Sequence, residues 1–461
     1  MKSANLSCPG PNRRDVLRFG SVALGSLGLG PIAAQRARGS DHTTNDPAVI
    51  FVWLPGGPPH QDTFDMKPNA PAEYRGAFNP IKTNVPGIDI CEHLPQLAKI
   101  TDKFSIIRSV AHKFADHGGG HKRFLTGRDP LQPAGFVNDT PMVGSMVAEV
   151  LKGKKAAVPN YIAGVDGGRQ GIDVFSFGAA YLGPQTYPFM VPGDPADTQF
   201  EVRNLSLLKG TEDKLKDRLS LLNTVDKPLA GPDLSGMAAG MDAIRGQALE
   251  LVTTDTARGA FDLSKEPQKL RDRYGMHRYG QRALMARRLV EQGATWVTMV
   301  MENATPPGVS LKENHCYNWD SHAVNCHIFE DTQYKLGFLD QAISALVEDI
   351  YSRGLNKRVL LVVTGEFGRT PKLEYTKNRP GRDHWPQAMS ILVSGACKTG
   401  VVVGSTTARA EMPKDRPLTP NDLWATVFSH LDIDYNRTSF TDGSGRPMPM
   451  LPYGDVIGEL V

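Results

Sequence analysis

The chain has 461 residues, a length that suits one large domain with insertions or two to three domains of ordinary size. Hydrophobic residues make up 40% of it and charged residues 22%, which excludes a disordered chain, a collagen-like chain and a multi-span membrane protein. The formal net charge is only +3, so the chain lacks the excess of basic side chains typical of nucleic-acid-binding proteins, and we expect no nucleic-acid partner.

The N-terminal residues 1–34 predict an export signal. Arg13 and Arg14 are adjacent and precede a glycine-rich, mildly apolar run at 19–34, an arrangement typical of the twin-arginine export route. The alternative is an uncleaved membrane anchor, although the run is short and polar for a stable transmembrane span. We expect a polar tether at 35–47 and a periplasmic or extracellular mature chain without an integral membrane span.

Short apolar runs rich in β-branched residues recur along the rest of the chain. Runs that are apolar on both faces and are bounded by Gly, Pro or polar residues are typical of buried parallel strands. Such strands are predicted, in chain order, at 48–54, 104–110, 159–165, 294–300, 359–363 and 390–393.

Helices are predicted between and after these strands. Residues 206–292 have a mostly helical pattern that stops at Gly293, and the apolar spacing of 336–350 predicts an amphipathic helix. Asn421 is a candidate N-cap for a last helix at 423–430.

The alternation of strands and helices predicts an α/β fold with a largely parallel central sheet flanked by helices. Residues 166–200 are rich in Gly, Pro and aromatic residues and predict surface loops. We expect a single domain at 48–461, with a loop and helical insertion at about 166–292.

Cysteine usage leaves the redox state open. Cys8 lies in the leader, and Cys91, Cys316, Cys326 and Cys397 are too sparse for a disulfide scaffold and have no CxxC spacing. An oxidising compartment would permit one disulfide, with Cys316 and Cys326 as the local pair; buried thiols are the alternative.

Polar residues that follow the predicted strands form the candidate site, because ligands bind at the carboxyl ends of strands in open α/β sheets. Five such segments carry Asp, Glu or His: 60–65, 112–128, 318–322, 364–371 and 382–386. If these side chains converge, they need a cation between them, which predicts a divalent metal site. Imidazole ligands favour Zn or Mn over Ca or Mg. The alternative is a metal-free network of ion pairs and hydrogen bonds that holds the loops.

Several common catalytic motifs are missing from the sequence. There is no GxGxxG after the first predicted strand, and no Walker A, GxSxG or HExxH motif. Glycines 118–120 predict a flexible turn before a helix, whose first backbone N–H groups favour a sulfate or phosphate oxygen.

The order of these segments is similar to that of the alkaline phosphatase and sulfatase superfamily. Over residues 13–450 the chain more closely resembles an exported, sulfatase-like family described as domain of unknown function 1501. Its marks, besides the arginine pair, are GGP and DTFD within 56–65, GH and LTG within 120–127, RDRYG at 271–275, WDSH at 319–322, GEFGRTP at 365–371 and GRDHWP at 381–386. The resemblance implies an alkaline-phosphatase-like α/β domain.

The candidate metal ligands come from this resemblance and from the five segments together. The resemblance implies four ligands, at positions that match the superfamily's order: Asp320, His322, Glu366 and His384. Three further candidates come from the same polar segments: Asp62, His121 and Asp383.

One position departs from the superfamily. Sulfatases place their nucleophile nine residues before the Thr of a Leu-Thr-Gly-Arg motif, and counting back from Thr126 gives His117. The superfamily's Asp-His pair is Glu366 and Phe367 here, so His117 and His121 are candidate replacement ligands. A helix start disfavours imidazolium, so we expect His117 to be a neutral metal ligand. A structural role and a nucleophilic role are the alternatives.

These observations predict an exported, metal-dependent hydrolase of sulfate or phosphate esters, acting on a small molecule or a polysaccharide. His117 would be catalytic, and Arg369 or Arg382 would pair with the anionic ester, since a guanidinium fork suits a tetrahedral oxyanion. For each arginine the alternative is an ion pair within the protein. The alternative function is a non-catalytic binding or assembly protein that retains the scaffold.

The export prediction can be tested by changing both Arg13 and Arg14 to Lys, which should keep the protein in the cytoplasm because the twin-arginine route requires the pair. Fractionation followed by immunoblotting measures the exported share. The matched control is Arg36→Lys/Arg38→Lys in the tether, which should be exported normally. Unchanged export of the first variant would indicate the general secretory route instead.

Overall fold

The computed structural model describes residues 46–154, 156–166, 176–202 and 255–461. The predicted leader, most of the predicted tether, and the 167–175 and 203–254 parts of the predicted insertion lie outside the described residues. Within the described ranges, no helix combines the length and the apolar character needed to cross a bilayer.

A central eight-stranded sheet organises the described part of the chain, and all six predicted strands belong to it. Its strands in chain order are β1 (Ala48–Trp53), β4 (Phe104–Val110), β5 (Tyr161–Val165), β6 (Phe189–Pro192), β7 (Trp296–Val300), β8 (Val359–Thr364), β13 (Met389–Gly395) and β14 (Val402–Val403). The spatial order is β14-β4-β13-β8-β1-β7-β5-β6. The sheet and its covering helices confirm the predicted α/β class.

One strand of this sheet runs against the others. β1 pairs in parallel with β7 and β8, so that Ile50 lies opposite both Val297 and Leu361. β13 pairs antiparallel with both of its neighbours, β4 and β8. The start of β13 therefore lies at the edge where β4 and β8 end, and residues that precede it reach the same edge.

In the described ranges, ten further strand segments form two-stranded pairs outside the central sheet. These pairs are β2 (Pro80–Lys82) with β3 (Asp89–Cys91), β9 (Gly368–Arg369) with β12 (His384–Trp385), β10 (Glu374–Thr376) with β11 (Arg379–Gly381), β15 (Ser405–Thr406) with β16 (Pro413–Asp415), and β17 (Ser439–Thr441) with β18 (Pro447–Pro449). The β9–β12 pair joins two of the polar segments directly.

Helices cover both faces of the central sheet. They are α1 (Ala72–Arg75), α2 (Pro95–Ala98), α3 (His117–Thr126), α4 (Val143–Val150), α5 (Asp255–Phe261), α6 (Gln268–Tyr274), α7 (Arg278–Glu291), α8 (Ile328–Ser352) and α9 (Pro420–His430). Ile50 and Val52 of β1 pack in one core with α7 and α8. Val49 and Phe51 pack in the other core with α3, α4 and α9. Successive β1 residues alternate between two apolar cores, which is why the run is apolar throughout.

Two local predictions are wrong. The N-cap of α9 is Thr419, which forms a capping box with Asp422, whereas the amide of Asn421 donates to the carbonyls of Gly127 and Tyr453. Part of the predicted surface loop at 166–200 forms the edge strand β6. The apolar run of β6 is only four residues long and ends in Pro192, and only Val191 of it is fully buried.

The N-cap of α7 is a histidine that must be neutral to cap. His277 Nδ1 accepts a hydrogen bond from Gly280 N at 3.2 Å. His277 Nε2 lies 3.3 Å from Gln341 Oε1 and donates to it. Burial lowers the pKa of His277 to about 4, against the opposing effect of the Gln341 hydrogen bond. An imidazolium has no acceptor, so protonation would remove the cap.

This cap predicts an acid-dependent loss of stability. Unfolded His277 takes up a proton near pH 6.5 and folded His277 does not until about pH 4, so the free energy of unfolding falls across that window as the pH decreases. His277→Asn retains a capping side chain that does not titrate. Between pH 7 and pH 5 its free energy of unfolding should therefore fall by about 1–2 kcal/mol less than that of the wild type. Urea unfolding at both pH values measures the difference. An equal acid loss in both proteins would contradict this assignment; His93→Asn is the control.

Candidate metal centre

The five polar segments gather at one edge of the sheet, above the neighbouring strands β4, β13, β8, β1 and β7. Four of the segments follow strands, as predicted. The fifth segment precedes β13 instead, and reaches this edge because that strand is antiparallel. The arrangement brings six of the predicted site side chains together: His117, His121, Asp320, His322, Glu366 and His384.

The first group of side chains centres on one carboxylate oxygen, Asp320 Oδ1. His322 Nε2 lies 2.7 Å from it, His384 Nε2 lies 3.0 Å from it and His117 Nε2 lies 3.2 Å from it. Arg369 Nη2 is a fourth nitrogen, at 2.7 Å. The side chains of the three histidines are about one-fifth exposed, so this group faces solvent.

The geometry of this group fits a bound cation better than a hydrogen-bond network. His322 Nε2 and His384 Nε2 are 2.9 Å apart, and only one proton can lie between them. Four nitrogens approach an oxygen that has two lone pairs. A tetrahedral site with bonds of ~2.0 Å separates its ligand atoms by ~3.3 Å, close to the observed spacings. A mixed set of imidazole and carboxylate ligands suits Zn or Mn.

A second group lies deeper and centres on Glu366 Oε1. His117 Nδ1 lies 2.8 Å from this oxygen and His121 Nε2 lies 3.2 Å from it. The backbone N–H of Gly56 donates to both carboxylate oxygens of Glu366, at 2.9 Å and 3.1 Å. Glu366 and His121 are buried. His117 therefore belongs to both groups, with one ring nitrogen in each.

Helix α3 presents its two histidines one turn apart on the same side. Asp116 caps the helix by accepting from Gly119 N at 2.7 Å. The glycines predicted to form a turn before the helix lie inside its first turn. Gly120 is required there because a Cβ atom would come within 2.9 Å of the Phe367 ring. The Asp116 carboxylate therefore accepts from one of the backbone N–H groups that are predicted to favour a sulfate or phosphate oxygen.

The two carboxylates control the protonation of His117. Burial lowers the pKa of this imidazole, but Asp320 and Glu366 on either side outweigh burial and raise it to about 9. The contacts with the two carboxylates therefore favour the protonated ring more strongly than the helix start disfavours it, and a neutral, metal-ligating His117 stays a prediction. Burial would raise the pKa of both carboxylates, yet the histidines, with Arg369 beside Asp320, lower both pKa values far below their usual range.

In each group, one histidine ring also contacts a polar side chain outside the group. Asp383 Oδ1 lies 3.3 Å from His322 Nδ1, on the side of the ring away from Asp320. Asp383 is therefore not in the ligand cluster. Ser176 Oγ lies 3.2 Å from His121 Nδ1. Contacts of this kind orient a ligating imidazole and fix which nitrogen keeps its lone pair.

Arg369 supports the loops and is not free to bind an ester. Its Nε donates to Gly57 O at 2.9 Å, and its other nitrogens contact the carbonyls of Gly56, Trp319 and Arg382 in addition to Asp320. The side chain is fully buried. Burial raises the pKa of Asp320, and the positive charge of Arg369 helps to lower it.

The structure does not bring Asp62 and Arg382 into the cluster. Arg382 Nε and Nη2 bind the two oxygens of Asp62 at 2.8 Å and 3.1 Å, and both side chains are fully buried. The remaining N–H groups of Arg382 donate to the carbonyls of Tyr74, Thr370 and Pro371. The predicted metal role of Asp62 and catalytic role of Arg382 are replaced by a buried ion pair, because each satisfies the other.

Three contributors were not predicted from the sequence. The ring of Phe367 packs against His117 and His384, with centroid distances of 5.5 Å and 4.7 Å. The N–H of Gly56 and the hydroxyl of Ser176 hold Glu366 and His121. The GGP motif at 56–58 and Phe367 were noted in the sequence, but a backbone donor and a distant serine leave no local pattern.

The buried ion pair makes a prediction about stability. Arg382→Met leaves the Asp62 carboxylate buried without its partner and should lower the free energy of unfolding by about 3–5 kcal/mol. Asp62→Leu/Arg382→Met removes both charges and should recover at least half of that loss. Urea unfolding measures both variants. A stable Arg382→Met protein that had lost only ester hydrolysis would assign this arginine to substrate instead.

Solved structures that are similar to this chain share little sequence identity with it. A sulfatase from Pseudoalteromonas sp. is 12% identical, with 93% of this chain and 73% of that chain covered and a TM-score of 0.37. The alkaline phosphatase from the Antarctic bacterium TAB5 is 11% identical, with 84% and 99% covered and a TM-score of 0.36. No curated protein matches significantly. The sequence model of the family described as "Protein of unknown function (DUF1501)" matches residues 46–461, and the chain belongs to that family.

Proposed function

We propose that this protein is an exported, metal-dependent hydrolase of sulfate or phosphate esters. The observation that carries the proposal is the convergence of four histidines and two carboxylates at the carboxyl edge of the sheet. Such a set of lone pairs and charges is costly without a cation. The ester class comes from the sequence resemblance to sulfatases and phosphatases, and the export from the arginine pair.

Two cation positions share His117. His322, His384 and Asp320 would hold a cation on the solvent side, and His121 and Glu366 would hold one at the buried position. Zn or Mn suits both ligand sets better than Ca or Mg. A bound divalent cation supplies Lewis-acid polarisation of an ester oxygen and activation of water near neutral pH.

The protein's own residues determine where an ester would bind. The solvent-side group is partly exposed, whereas Glu366 and His121 are buried, so substrate reaches the Asp320 side first. Both nitrogens of His117 face carboxylates, at 2.8 Å and 3.2 Å, and this favours a ligand role over a nucleophilic one. Asp383 behind His322 and Ser176 behind His121 fix the orientation of those rings.

The second candidate function is a binding or assembly protein without turnover. One observation favours it: Arg369 and Arg382, the two arginines predicted to bind the ester anion, donate to groups within the protein. A hydrolase would then have to hold its anionic ester through the cations and the helix α3 region. Activity measurements separate the two functions.

His117→Ala tests the role of the shared imidazole. Elemental analysis of the wild-type protein should give at least about one equivalent of a divalent metal. The variant should lose metal affinity by roughly 10- to 100-fold or more, and any hydrolysis of aryl phosphate, phosphonate or sulfate esters should fall with it. His93→Ala, at a half-buried histidine outside the site, is the matched control and should retain both.

The other outcomes assign other roles. Metal retained with loss of a covalent phospho- or sulfo-enzyme would identify a nucleophile. Metal and activity both retained, with only a lower melting temperature, would identify a structural residue. Wild-type protein with less than about 0.1 equivalent of any divalent metal would overturn the metal site itself. Full metal occupancy without turnover on any ester would support the binding protein.

A further inference from the structure

Two cysteines flank the loop that carries two of the candidate ligands. Asp320 and His322 lie between Cys316 and Cys326 in the sequence. The two Sγ atoms are within 4.8 Å of each other, and both side chains are buried. Both thiols are free in the structure. The proposed function does not use either of them.

The backbone already brings the two ends of this loop together. His327 N donates to Asn314 O at 3.1 Å, just outside the cysteine pair. Inside it, Cys326 N donates to His322 O at 3.0 Å. A disulfide needs an Sγ–Sγ distance of ~2.05 Å, and side-chain rotation is the main movement required when the backbone ends are held close.

The alternative to a disulfide is a metal site formed by the two cysteines, with Asp331 as the third ligand. The Asp331 carboxylate is already engaged. Its Oδ1 accepts from Cys316 N at 2.9 Å, and its Oδ2 accepts from Ser321 Oγ at 3.0 Å and from Lys335 Nζ at 2.5 Å. The carboxylate is therefore fully hydrogen-bonded within the protein. The Cys316 thiol donates to the carbonyl of Asp320 at 3.3 Å, and its Sγ lies within 4.8 Å of Cys326 Sγ.

We propose that Cys316 and Cys326 form a disulfide when the chain folds in an oxidising compartment. Each thiol gives up its hydrogen, the Sγ–Sγ bond forms, and two electrons and two protons pass to a disulfide donor, which leaves as two thiols. The buried position of both sulfurs means that the bond forms before the loop is covered and is protected from reductants afterwards.

The bond would close a ring of 11 residues around Asp320 and His322. A ring of this size restricts the unfolded chain and holds the loop in its folded shape. The bond would therefore stabilise the position of two metal ligands without touching the metal. This inference stands apart from the ester chemistry and holds for a hydrolase or a binding protein alike.

Peptide mapping tests the bond directly. Trypsin cuts after Lys312 and Lys335, so a single peptide contains both cysteines. The full chain, produced in an oxidising compartment, is unfolded and alkylated without reductant. We expect that peptide to be unalkylated and about 2 Da lighter than its reduced form, the mass of two hydrogens. Cys91 and Cys397 should be alkylated in the same sample. Two alkyl groups on the 313–335 peptide would overturn the proposal, as would protection from alkylation that a chelator removes.

A melting experiment tests the restraint. Melting in the presence of a reductant, which reaches the bond as the protein unfolds, should lower the melting temperature of the oxidised wild type by roughly 3–6 °C through loss of the cross-link. Cys316→Ser/Cys326→Ser should show no shift on reduction, and the matched control Cys397→Ser should show the wild-type shift. An oxidised wild type that contains the bond but melts at the same temperature after reduction would overturn the stabilising role.

Discussion

The site depends on a single oxygen, Asp320 Oδ1, which four nitrogen atoms approach within 3.2 Å. Burial raises the pKa of Asp320, but the three histidines and Arg369 outweigh burial and lower it. Four nitrogens also exceed the two lone pairs of one carboxylate oxygen, an arrangement that suits a bound cation. The loop that carries Asp320 is held by very close packing on the chain after β1. A Cβ atom on Gly56 would lie 2.5 Å from Asp320 N, and the φ of +104° at Gly56 also requires glycine.

The antiparallel β13 is the topological feature that completes the site. In a fully parallel sheet, residues that precede a strand lie at the opposite edge from those that follow its neighbours. Reversing β13 brings His384, which precedes it, to the same edge as Glu366, which follows β8. The β9–β12 pair then places His384 opposite Arg369 in register. A candidate ligand that precedes β13 and candidate ligands that follow its neighbouring strands can therefore lie close together.

The sequence predicts most of the fold because the signal for a buried strand is local. All six apolar runs form strands, since helices cover both faces of the sheet, and polar side chains in these runs such as Ser105 and Thr298 are buried as well. The site is only partly predictable, because acidic residues at strand ends look alike. Asp62 and Asp320 both follow apolar runs, but Asp62 meets Arg382 and Asp320 meets imidazoles. Arg382 lies 320 residues after Asp62 in the sequence, so no local pattern identifies the ion pair that removes Asp62 from the site. The edge strand β6 is not predicted because its run, Phe-Met-Val-Pro, is short and ends in proline within a segment rich in Gly, Pro and aromatic residues.

His117 belongs to both groups of candidate ligands. An imidazole with one nitrogen 2.8 Å from Glu366 and the other 3.2 Å from Asp320 joins the two ligand groups through a single conjugated ring. Burial lowers the pKa of His117, but Asp320 and Glu366 outweigh burial and raise it to about 9, which favours a positive charge between the two carboxylates. If the two groups hold cations as proposed, a cation in either group would displace a proton from this ring, because a ligating nitrogen needs its lone pair. The ring would then present a defined charge and tautomer to the other group. Under the proposed function, His117 would therefore couple the occupancy of the two groups, which a hydroxyl or thiol at that position could not do by a change of tautomer.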